Sequence, residues 1–160
     1  MNNIGRTVLT ATLICGTLDI VCACVFAGLR GNGPIGVLHS VASGPFGNGV
    51  ESGGVATALL GLAVHFAIMT VMAGVFVAAA WRLPFVAAHP LIAGIAYGIL
   101  LYLFMYWIVL PLRWPANFPS LKPRAVASAL FAHIVCVGIP MGLITARGLG
   151  RGASAVTATA

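Results

Sequence analysis

Four stretches of the chain are apolar almost throughout, and the polar positions collect between them rather than along them. They run Thr7 to Leu29, Val55 to Ala80, Pro90 to Leu112 and Arg124 to Arg147. About 20 apolar residues, each rising 1.5 Å, cross the ~30 Å hydrocarbon core of a bilayer as a helix. None of the stretches alternates with the period of two that a barrel strand needs, so the spacing predicts helices. Each ends on a breaker: Arg30-Gly31-Asn32-Gly33-Pro34, then Trp81-Arg82-Leu83-Pro84 with its aromatic and cationic interface anchor, then a connection from Pro111 to Pro123 that contains four prolines. The fold expected is an all-α integral membrane four-helix bundle, a single domain over residues 1–147, with residues 148–160 as a small, polar, disordered tail.

The connection between the first two spans, Arg30 to Gly54, has its own pattern. Pro34 to Ser43 carries Pro in its first turn, Ile35, Leu38 and Val41 at threefold spacing, and Gly44-Pro45 as a stop. A helix there is too short to span, so it should lie in the interface or enter part-way as a re-entrant cap, with His39, Ser40 and Ser43 on its polar side.

Composition sharpens the class. The 160 residues are 61% hydrophobic and 6% charged, and the mean hydropathy is +1.08. Soluble domains carry about 25% charged residues, so this chain lacks the charge to coat a water-facing surface. The net charge of +6 comes from Lys and Arg at the span ends, where they set topology and meet anionic head groups. They form no cluster and no interleaved aromatic platform, which argues against nucleic-acid binding. Arg6 before an apolar run, and Val21-Cys22-Ala23-Cys24, raise the question of a cleaved leader; the run is too long for a signal core and is expected to remain as the first span.

Candidate chemistry is confined to the few polar residues inside the spans. Asp19 lies near the middle of the first span, with Cys15 and Cys22 on the same face at i−4 and i+3. An ionisable group there costs a few kcal/mol unless a partner or a wet cavity receives it. His65, Tyr102 and His133 lie at similar depth in the other spans, all within ~1.5–4 Å of the midplane on a 1.5 Å rise. Asp19, His65 and His133, with Tyr102 or Tyr106 as a hydrogen-bonding neighbour, are thus a candidate proton or cation relay. The same groups serve equally as clamps between helices. A metal site for zinc or Cu(I) would draw on Cys15, Cys22, Cys136, His65 and His133, although no CxxC or HxxxH pair brings two ligands from one turn. A haem b held between His65 and His133 ranks behind both. All four cysteines fall inside spans, so a disulfide framework is not indicated.

Gly94/Gly98 and Gly138/Gly142 are four-residue glycine pairs that permit close helix approach, within one bundle or between copies in a homo-oligomer; Pro140 lies between the second pair as an expected kink. The ends of the first and third spans, and the surroundings of His65 and His133, also repeat weakly, as two related hairpins would. No nucleophile elbow, phosphate-cradling glycine loop or carboxylate pair is present, and enzymatic activity is not expected.

Gly16-Thr17-Leu18-Asp19-Ile20, the Leu38 to Gly44 segment, Ala96-Tyr97-Gly98 and Val109-Leu110-Pro111-Leu112 resemble elements of small four-span bacterial inner-membrane proteins of no established activity. The resemblance covers most of the chain outside the tail. It implies a bacterial inner membrane and four spans, and nothing about chemistry.

Overall fold

The computed structural model describes residues 3–157, and their side chains except at 51 and 151–157. Four helices are long and apolar enough to cross a membrane: α1 (Asn3–Gly28), α3 (Gly54–Arg82), α5 (Pro90–Arg113) and α6 (Pro123–Gly150). The short helix α2 (Pro34–Phe46) lies between the first two, and the single turn α4 (Pro84–Ala88) joins α3 to α5. Among the described residues the secondary structure is entirely helical. The helix of α6 continues past the expected end at Arg147 to Thr157; residues 158–160 of the expected tail lie outside the described residues.

In the bundle α1 packs on α3 and α6, and α5 packs on α6, while α1 and α5 stand opposite one another without comparable backbone packing. The core they share is small. It consists of Ala11 and Cys15 from α1, Met69, Ala73 and Phe76 from α3, Leu101 from α5, and Val137 and Met141 from α6. Large apolar side chains such as Leu13, Val25, Leu59, Val71 and Leu100 point outward instead. In water that distribution would expose an unsupportable apolar surface; in lipid it is the surface the solvent matches.

Glycine sets the closest approaches. A methyl group on Gly94 would fall on the Gly138 carbonyl, one on Gly98 on the His133 carbonyl, and one on Gly142 on the Pro90 carbonyl. Both glycine pairs therefore face each other at the α5/α6 crossing inside one protomer, and a contact between copies would have to use another face. The start of α1 meets the end of α6 where Thr7 packs against Gly148, so the two ends of the bundle core lie on one side.

Helix α2 packs along the first turns of α3, close enough that Gly61 lies against the Leu38 carbonyl. It runs one residue beyond the expected Gly44-Pro45 stop, to Phe46, because Gly47 at φ 82° supplies the left-handed turn and its N–H closes onto the Ser43 carbonyl. His39 and Ser40 do not simply face head groups. The His39 ring Nε2 bonds the Gly54 carbonyl at 2.7 Å, which ties α2 to the start of α3, and Ser40 bonds back to the Gly36 carbonyl at 3.0 Å.

Prolines leave a second mark. Met105–Val109 in α5 and Ala132–Gly138 in α6 are wound as π-helix, and each segment ends two residues before a proline, Pro111 and Pro140. Proline cannot donate to the carbonyl four residues back, and a widened turn absorbs the missing bond. The expected kink at Pro140 thus takes the form of a π segment on its N-terminal side. Both π segments belong to the second helical hairpin and α2 belongs to the first, so the two hairpins differ where the weak repeat would make them alike.

Candidate functional site

The polar side chains within the spans divide into those that bind helix to helix and those that do not. His65, 9% exposed on α3, bonds the Gly16 carbonyl of α1 through Nε2 at 2.9 Å. Phe66 lies edge-on to it and covers Gly16, whose missing side chain is what lets the ring approach. The Cys15 thiol, fully buried, donates to the Val137 carbonyl at 3.5 Å, tying α1 to α6. Tyr97 on α5 donates its hydroxyl to the Met72 carbonyl of α3 at 2.8 Å, with Phe76 against its ring. Each of these joins two spans through a backbone carbonyl, a contact that hydrocarbon cannot replace.

Asp19 belongs to the other group. It is half-buried on α1, one turn beyond Gly16, and among the described residues it makes no hydrogen bond or ion pair. Elsewhere among the spans the rings of Tyr102 and Tyr106 stack at 5.2 Å, and His133 stands edge-on to both, at 6.4 and 5.8 Å. Phe118, from the proline-rich connection, closes on Tyr106 at 5.6 Å. His133 itself bonds within its own helix, Nδ1 to the Ala129 carbonyl at 2.9 Å, leaving Nε2 without a hydrogen bond among the described residues. Cys22 on α1 and Cys136 on α6 are free, half-buried thiols.

Tyr106, His133 and Cys136 all fall on the two π segments. Such segments often accompany functional sites, because the widened turn frees carbonyls and redirects side chains.

The residues proposed from sequence are therefore not gathered into one centre. Tyr102, Tyr106 and His133 form one ring cluster, whereas His65 is fixed to Gly16 and does not bond Asp19. The five-residue metal set does not assemble: among the described residues no three His, Cys, Asp or Glu side chains are placed to hold an ion. Part of the reason is geometric, since Cys15 and His65 are committed to backbone carbonyls. A haem between His65 and His133 fails the same test, because the Nε2 of His65 that would ligate iron is turned to Gly16.

Sequence reasoning missed Tyr97 as a clamp, although a lone hydroxyl amid apolar neighbours in the middle of a span was the available signal. It also missed Arg113, which reaches from the end of α5 to the Ser43 carbonyl at 3.1 Å and to the Asn48 side chain, with its guanidinium over the Trp114 ring. Arg113 thereby fastens α2 to the far hairpin.

No family model matches the chain, and neither a curated protein nor a solved structure is similar to it at a significant level.

Proposed function

We propose that the chain is a small, non-enzymatic proton- or cation-handling membrane protein, with Asp19 as the residue that carries the charge. The observation behind this reading is that Asp19 alone among the acidic and histidine side chains of the spans has no hydrogen bond or ion pair from the described residues. A bundle that needed Asp19 only as a clamp would give it a donor, as it gives His65 and Tyr97 a carbonyl. An unpartnered carboxylate at that depth costs a few kcal/mol, and a proton or a cation removes that cost. In this reading the clustered rings of Tyr102, Tyr106 and His133 supply its polar neighbours, while His65 belongs to the framework.

The test is flux in liposomes. Asp19→Asn keeps the shape of the side chain and removes its titratable charge, so it should abolish proton or cation flux and leave the bundle folded. A scaffold or accessory subunit is the competing reading, and the three carbonyl clamps favour it. It requires no flux in either protein, which would end the Asp19 proposal.

We also place the chain in the bacterial inner membrane with cytoplasmic termini. Arg6, Arg82, Arg147 and Arg151 on the terminal side balance Arg30, Arg113, Lys122 and Arg124 on the other, and we take the terminal side as the cytoplasmic one. A reporter fused after Ala160 that is active only in the periplasm would reverse this orientation.

A further inference from the structure

We infer a second site, independent of Asp19: the groove between α3, α4 and α5 binds one anionic phospholipid from the leaflet on the side of the termini, with an acyl chain along the groove and the phosphate on Arg82. The groove has a volume of about 290 Å³ and is lined by apolar side chains and one tyrosine ring. Phe76 of α3 and Tyr97 of α5 form its floor, their rings 5.0 Å apart, while Phe85 of α4 and Ile92, Ala96 and Leu100 of α5 stand exposed along it. The Tyr97 hydroxyl is bonded to the Met72 carbonyl, so the floor offers a ligand a ring face rather than a polar group.

Length and section fit a single hydrocarbon chain. Ile92 to Leu100 rises about 12 Å on a 1.5 Å step and begins just inside the start of α5, so the groove runs inward from the interface across most of one leaflet, half of the ~30 Å core. Spread over that length, the volume gives a section of about 24 Å², under a third of the roughly 80 Å² that a helix 10 Å across occupies. A span from a second copy or from another protein is too thick to enter, whereas an extended acyl chain fills it.

Charge selects the head group. Arg82 ends α3 between Ala79 and Phe85, both in the groove wall, and so stands at the mouth, with its guanidinium 6.0 Å from the Trp81 ring. Among the described residues its side chain has no hydrogen bond or ion pair. Arg6 and Arg147 belong to the same end of the bundle: Thr7 packs on Gly148, and Gly142, earlier on α6, lies against the Pro90 carbonyl where α5 begins. The two acidic residues of the chain are elsewhere, Asp19 within α1 and Glu51 in the turn before α3, at its opposite end. A basic rim over an apolar groove matches an amphiphile that carries a net negative head group. A zwitterionic lipid brings its own cation to that rim and gains less.

The experiment offers the purified full chain, in mild detergent, equal amounts of phosphatidylglycerol and phosphatidylcholine with the same acyl chains, and reads the lipid retained by native mass spectrometry. One phosphatidylglycerol per chain should stay bound in preference to phosphatidylcholine. Arg82→Gln should weaken that retention about fivefold, the worth of one cation at the membrane surface. Arg124→Gln, at the other end of the bundle, should leave it unchanged. Ala96→Trp should fill the groove and remove both lipids. In case that variant does not fold, wild-type protein in vesicles is cross-linked to a phosphatidylglycerol with a diazirine midway along one acyl chain, and the labelled residues are mapped. Labels should concentrate on Ile92, Ala96 and Leu100 over the outward-facing Leu13 and Leu59. No retained lipid, equal retention of the two head groups, equal loss in Arg82→Gln and Arg124→Gln, or labels spread evenly over the outward faces would each overturn the proposal. Because the readout is bound lipid rather than flux, its failure leaves the Asp19 reading untouched, and the reverse also holds.

Discussion

Replacing Gly98 with alanine is the sharpest test of how this bundle is held together. A methyl group at that position would lie 2.5 Å from the His133 carbonyl oxygen and 2.8 Å from the Ile134 Cα, both backbone atoms that cannot swing aside as a side chain can. Ordinary carbon–oxygen contact is about 3.3–3.6 Å, so α5 and α6 must separate locally by roughly 0.8 Å or more. Overpacking of this kind costs about 1–3 kcal/mol, and a gap of 0.5–1 Å also forfeits a quarter to a half of each dispersion contact along the crossing. In lipid there is no hydrophobic drive to push the helices back together, so dispersion is much of what holds them. A net loss of about 2 kcal/mol is expected from these terms. Gly74→Ala is the matched control: Gly74 has nothing within 4 Å of the added carbon, so alanine should be neutral there or stabilising by up to about 0.5–1 kcal/mol through helix propensity. Reversible unfolding in mixed micelles, scored by far-UV circular dichroism, measures both. Equal stability of the two variants would refute the claim that the glycine pairs make the α5/α6 contact.

Two further outcomes follow from the polar groups. His65→Leu keeps most of the volume and removes the bond to the Gly16 carbonyl, so it should lower stability by about 0.6–1.7 kcal/mol in the same assay while leaving any Asp19-dependent flux intact; loss of flux without loss of stability would return His65 to the relay. Thr145 is 1% exposed and its hydroxyl finds no partner, so the isosteric Thr145→Val should be neutral or stabilising by about 1 kcal/mol; a clear destabilisation would mean the hydroxyl is bonded in the membrane.

Hydropathy by itself determined the class of this protein, the number of its spans and the limits of the first three to within a few residues. Each of these depends on the summed transfer free energy of a local window, which no distant contact can reverse in a chain with so few charges. The short helix between the first two spans was legible for a similar reason, since Pro34 and the glycines around it act on their own backbone. What each polar side chain touches was decided only by the tertiary structure. Asp19 and His65 share a depth along the sequence, yet the imidazole meets the Gly16 carbonyl instead. Cys15 shows the same dependence, as its thiol meets a carbonyl of α6. The π segments are the deepest reason. One extra residue in a turn rotates everything beyond it by about 100° relative to a 3.6-residue repeat, so the faces of α5 beyond Tyr106 and of α6 beyond His133 cannot be read from α-helical spacing. Pro111 and Pro140 announced that the helices would be disturbed, but not that the disturbance would take the form of a π segment.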